Sequence, residues 1–227
     1  MSSLVVSGDT SGSVTIAAPA VAGSGTLTLP VATDTLVGKA TTDTLTNKTL
    51  VAPALGTPAS GNLANCTGAI TSGTEQATTS GTSIDFTGIP SGVKRITVML
   101  SGVSTNGSSV VLLRLGDSGG VETSSYVDNA GTITGSVVGQ EANTNGFIIR
   151  SSSNSSITRF GTFVLTLMNA STFTWACMSI TGSSSSGEIE MECGHKSLSA
   201  VLDRVRLTTV NGTDTFDAGS INILYES

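Results

Sequence analysis

The sequence predicts an all-β protein, with an extended, intertwined N-terminal stem followed by an antiparallel, jelly-roll-like β-sandwich knob. Three observations carry this expectation. Apolar residues never recur at helical spacing over a long stretch, whereas short segments alternating polar and apolar recur between Gly, Pro and Asn-Gly breaks. All nine aromatic residues lie at or after Phe86. The first 85 residues also lack Arg and His, and consist mainly of Thr, Ala, Ser, Gly, Leu and Val. Such a stretch has little large apolar surface to bury by itself. The N-terminal part is therefore expected to borrow stability from partner chains, and the C-terminal part to build its own core.

Residues 1–37 read as short β segments. Ser13-Val14-Thr15-Ile16 and Thr26-Leu27-Thr28-Leu29 each alternate with a period of two, and Pro19 and Pro30 close them. Strands of about four residues do not make a stable hairpin alone. Residues 41–72 change character. Thr44 to Leu50 is followed by Val51 to Gly61, where small side chains carry isolated Leu and where Pro53 and Pro58 forbid continuous helix or central strand. This composition suits a thin fibre, a clamp on neighbouring subunits or a flexible linker, and the domain division is placed at residues 1–72 and 73–227.

From residue 82 the β pattern strengthens. Ile84, Phe86 and Ile89 precede a Pro90-Ser91-Gly92 turn, and Val93 to Leu100 puts Ile96, Val98 and Leu100 on one face. Asn106-Gly107 reads as a hairpin turn into Val110 to Leu115. Residues 116–146 are polar, with little apolar density. Phe147 to Ile149, Phe160 to Met168, Phe173 to Ile180 and Glu188 to Cys193 are further strands. Ala200 to Val210 and Ile221 to Tyr225, joined through Asn211-Gly212, read as a final hairpin. Seven or eight such strands imply a sandwich.

Composition excludes several function classes. Charged residues make up 11% of the chain, but 38% hydrophobic content argues for order rather than disorder. The net charge is −6 and no cations cluster, which disfavours nucleic-acid binding. The N-terminus lacks a basic region and a long apolar core, so no signal peptide is expected. No run approaches the roughly 20 apolar residues of a membrane span, so no membrane insertion is expected. Cys66, Cys177 and Cys193 are odd in number and lack metal spacing. They read as inert thiols of a chain made in a reducing cytoplasm.

Candidate chemistry is sparse. Gly116-Asp117-Ser118-Gly119-Gly120 is similar to the segment around the nucleophile of chymotrypsin-like serine proteases, but the single His, His195, lies downstream. A Gly-rich turn explains the string more simply. Asp203, Asp214, Asp217 and Glu226 gather near the last strands without a calcium-loop pattern. Glu188, Glu190 and Glu192 alternate with Ile189, Met191 and Cys193, and are expected on an exposed sheet face. Trp175 is expected in the core. Tyr126, in the polar region, is the one expected ligand-binding residue, for a sugar or protein contact. No catalytic residue, metal or cofactor is expected.

Ser7-Gly8-Asp9-Thr10-Ser11-Gly12 through Leu27-Thr28-Leu29-Pro30, and Thr44-Leu45-Thr46-Asn47-Lys48-Thr49-Leu50 through Asn62-Leu63, resemble the N-terminal modules of tailed-bacteriophage fibre and virion-surface proteins. Thr71 to Ser104 and Lys196 through Glu226 resemble the β-sandwich knob that often follows. The resemblance implies a homotrimer on the virion surface, without enzymatic activity. Residues 1–72 would attach it to other virion proteins of the capsid or tail, and the knob would be available to host cell-surface glycans. At 227 residues the chain is short for a host-reaching tail fibre, and it has no recognisable tail-adaptor domain. A capsid decoration or cement protein is therefore the alternative, and a serine hydrolase a minor one.

Overall fold

Among the described residues, short alternating segments separated by turn residues become strands. A computed structural model describes residues 3–7, 10–17, 49, 70–135, 137–149, 154–184 and 187–227. The expected strand at Thr26 to Leu29, nearly all of the expected stem over residues 41–69, and Cys66 lie outside the described residues. The chain divides into two compact units, Met1–Thr57 and Pro58–Ser227. In the first, β1 (Ser3–Ser7) and β2 (Ser13–Ala17) pair antiparallel, with Ser3 opposite Ala17 and Ser7 opposite Ser13.

The second unit begins with β3 (Ile70–Ser72), β4 (Gln76–Ala77), β5 (Ser83–Thr87), β6 (Arg95–Thr105), β7 (Val111–Asp117) and β8 (Gly120–Val121). It continues through β9 (Tyr126–Thr134), β10 (Val137–Asn143), β11 (Phe147–Ile149), β12 (Arg159–Asn169) and β13 (Thr174–Ser183). It closes with β14 (Ile189–Ser197), β15 (Leu202–Thr209) and β16 (Phe216–Glu226). No helix occurs among the described residues, so none is long and apolar enough to cross a membrane.

These strands form two antiparallel sheets, as a β-sandwich requires. The large sheet has nine strands in the order β10-β9-β14-β13-β12-β6-β16-β3, with β4 also on β16. The small sheet has five, β11-β7-β15-β5, with β8 on β7. Because β3 pairs with β16, the large sheet already includes Ile70. Side chains alternate across each strand. Ile96, Val98, Phe163, Leu165, Ile221 and Ile223 of the large sheet join Phe86, Leu113, Leu115, Phe147, Val205 and Leu207 of the small one in a single core. Trp175 is in that core, 3% exposed.

Two expectations need correction. The polar region 116–146 contains three strands, including the long β9 and β10, which pair from Thr134 opposite Val137 to Asp128 opposite Asn143. Their apolar density is low because the inward face of β9 carries Asp128, Ala130 and Thr132 instead of large apolar side chains. The two Asn-Gly pairs are not hairpin turns. β6 and β16 lie in the large sheet and β7 and β15 in the small one, so each Asn-Gly sits where the chain crosses between sheets.

The two crossings hold each other. The Asn106 N–H donates to the Thr215 carbonyl at 2.9 Å, and the Thr215 N–H donates to Asn106 Oδ1 at 2.9 Å. Asp214 accepts from the Ser109 N–H at 2.8 Å and from Asn211 Nδ2 at 2.6 Å. A Cβ at Gly107 would overlap the Asp214 carboxylate and displace it from these contacts.

Candidate functional site

β12, β13, β14 and β9 are neighbours in the large sheet, and their inward face changes character along its length. At the β6–β12 side it is apolar. On β14 it carries Glu190, Glu192 and Lys196, with Glu188 just before the strand, all buried. The expected exposed acidic face is therefore inverted: the three glutamates point in, and Ile189 and Met191 are 51% and 47% exposed on the outside. Carboxylates survive burial only when they are hydrogen-bonded and paired, and the neighbouring strand supplies the partners. Ser179 donates to Glu192 at 3.2 Å, Thr181 to Glu190 at 3.0 Å and Ser183 to Glu188 at 2.9 Å. These are the cross-strand neighbours that the β13–β14 register brings together. Arg159, 1% exposed at the start of β12, adds the cation. Burial draws its pKa down, while Glu190 and Glu188 act to hold it charged.

Asp128 of β9 adds a fourth carboxyl group beside Glu192. Asp128 Oδ2 accepts the Ile148 N–H at 3.1 Å, and the two carboxyl groups hydrogen-bond to each other. Burial pushes the Asp128 pKa up to about 6, opposed by the Ile148 and Glu192 hydrogen bonds. Burial, and then the nearby Asp128 charge, pushes Glu192 well above the ordinary carboxylate range. Two carboxyl groups so arranged share a proton when one of them is ionised. Cys177, buried beside Glu192, has its thiol pushed up by burial and by that carboxylate, and is held as the unreactive thiol.

Tyr126 does not lie at a surface. It is 1% exposed, and its ring meets Phe147 edge-on at 5.1 Å. Its hydroxyl accepts the Leu115 N–H at 2.8 Å and reaches the carbonyl oxygens of Glu122 at 3.0 Å and Leu115 at 3.3 Å. The expected sugar or protein contact is thus corrected to a core residue that ties β9 to β7. Lys196 lies 5.3 Å over its ring and pairs with Glu122 at 2.5 Å. Of the nine aromatic residues, Phe160 alone is exposed, at 49%.

The remaining candidates separate in space. Gly116 to Gly120 forms the tight β7–β8 turn. There Asp117 accepts from the Ser199 hydroxyl at 2.6 Å and from the Gly119 N–H at 2.7 Å, contacts that lower its pKa. Ser118 stands at this turn, whereas His195 lies on the outer face of the large sheet between Val127 and Ala176. No hydrogen bond joins them. Asp203 is held by Arg204, Asp214 by Asn211 and Ser109, and Glu226 by Arg95. Among the described residues no group of three or more His, Cys, Asp and Glu is placed to hold a metal ion.

A concavity opens on the outer face. Gly131 and Asn129 of β9, Met191 and Cys193 of β14, and Val138 of β10 help line a groove of about 630 Å³. Sequence reasoning missed both this groove and the buried carboxylates. The signal was present in the matched alternation of Ser179, Thr181 and Ser183 with Glu188, Glu190 and Glu192. A scan of protein-family models, a search of curated proteins and a search of solved structures each found no match for this chain.

Proposed function

We propose that this chain is a structural protein of a bacteriophage particle: a trimeric surface fibre or knob anchored through residues 1–72, with its sandwich turned outward. The observation that carries the reading is the division of the chain. A unit ending at Thr57 contains a short hairpin, and a separate sandwich has a continuous core of its own. The N-terminal sequence resemblance to phage fibre modules falls on the first of these parts and extends into the start of the second. An anchor that must borrow stability and a body that need not are what a particle-mounted protein requires, because assembly supplies the missing contacts.

Host contact in this reading is multivalent and shallow. Three copies on one stem gain avidity from modest sites. The same architecture serves a capsid decoration protein that clamps shell subunits. Electron microscopy of purified particles labelled with an antibody against residues 73–227 tests both readings. Label on tail fibres supports the first, label over the head supports the second, and infectious particles without label contradict both.

A further inference from the structure

The outer face of the large sheet has the polarity expected of a buried one. On β10, β9, β14, β13 and β12, five adjacent strands, no outward position holds Asp, Glu, Lys or Arg. The charges of these strands are on the opposite side: Asp128, Arg159, Glu190, Glu192 and Lys196 are buried there, and Glu141 of the edge strand β10 is exposed and reaches the rim of the groove. In their place the outer face shows Phe160, Met178, Ile180, Ile189, Met191 and Val138, each between 47% and 76% exposed. The register makes them contiguous: Ile180 lies opposite Met191, Gly182 joins Phe160 to Ile189, and Val138 and Ile189 both lie opposite Ile133.

We propose that the sandwiches of neighbouring copies of this chain pack against one another through this outer face. Three observations favour a second copy over another partner. Each chain carries a net charge of −6, and a face without Asp, Glu, Lys or Arg is where two copies can meet with the least local like-charge repulsion. An acidic or basic partner would find no counter-charge on it. The six side chains expose roughly 600 Å² of apolar area, at the top of the range for a monomer's largest patch, and most of the about 800 Å² per partner of a standard interface. The face is also self-complementary in relief. Phe160 and Ile180 stand out at one side, and the groove of about 630 Å³ beside Gly131 and Cys193 lies at the other. The inference concerns the sandwich and stands apart from the oligomerising role proposed for residues 1–72.

Cys193, exposed in the single chain and central to this face, reports on it directly. The test uses the full-length purified protein under native conditions. Iodoacetamide labelling at Cys193 is followed by peptide mass spectrometry, alongside solution mass, for the natural chain and for Ile180→Lys and Met178→Lys. Both positions are more than half exposed, so the sandwich tolerates the lysines, and Trp175 fluorescence checks that it does. The expected result is labelling at least ten times slower in the natural chain than in either variant. Equal, fast labelling in all three overturns the inference, and so does equal protection in all three. If mass shows an oligomer while Cys193 labels freely, the face inference fails and the N-terminal oligomer stands. A monomer by mass that labels freely removes both.

Discussion

Tyr126 and Asp128 are two positions apart on the inward face of β9, and each shows how a buried polar atom is kept. The Tyr126 hydroxyl is the partner of the Leu115 N–H in the core. Tyr126→Phe keeps the ring contact with Phe147 and leaves that N–H unpaired. It is expected to cost about 1–3 kcal/mol, read as a lower midpoint in thermal unfolding. Asp128 gives the opposite kind of test. Its carboxyl and that of Glu192 hold protons more tightly in the folded chain than in the unfolded one. Their contribution to stability is therefore complete below the ordinary Asp value of 3.8 and is lost as pH rises, for Asp128 through about 6, with the raised Glu192 contributing in the same sense. In Asp128→Asn the amide oxygen still accepts from Ile148 and the NH₂ donates to Glu192. Urea unfolding at pH 4, 6 and 8 should show a smaller fall in stability with pH for the variant than for the natural chain; parallel curves would sink the shared-proton assignment.

At the scale of elements, the sandwich depends on places where strands come unusually close. β6 and β16 pair through two register shifts, and at that point Gly219 holds φ +90 against Gly102. A Cβ on Gly219 would overlap the Gly102 carbonyl group. Gly219→Ala combines left-handed strain with a backbone collision, and should cost at least about 2 kcal/mol. At roughly 2–4 °C per kcal/mol for a chain of this size, calorimetry resolves it easily; an unchanged midpoint would mean that the bulge does not matter. Strand positions were legible because a period of two survives whichever side is buried. β11 falls on Phe147 to Ile149 as expected, and β7, β12 and β15 are within a residue or two at most ends. The sense of burial was not legible on β14. Alternation identifies two faces, but the usual assignment of the apolar one inward fails when Arg159, Ser179, Thr181 and Ser183 await the carboxylates from other strands. The Asn-Gly signals misled for a related reason. They specify a local reversal, and whether the next strand returns to the same sheet depends on contacts such as Asp214 with Ser109, a hundred residues distant in sequence.

For the whole molecule, the aromatic rings all stand at or after Phe86, but the sandwich itself already begins with β3 at Ile70 and has Ile84 in its core. In the proposed reading, the small side chains of the preceding chain suit contact with copies or with a particle. The outer sheet face adds a second place for such contact, so the proposed oligomer has an N-terminal and a sandwich component. Both rest on the chain not acting alone. The most direct test is the solution mass of the purified full-length protein by light scattering. The account predicts three times the chain mass of 22.7 kDa, stable on dilution to micromolar concentration. A folded species of 22.7 kDa under the same conditions would contradict it.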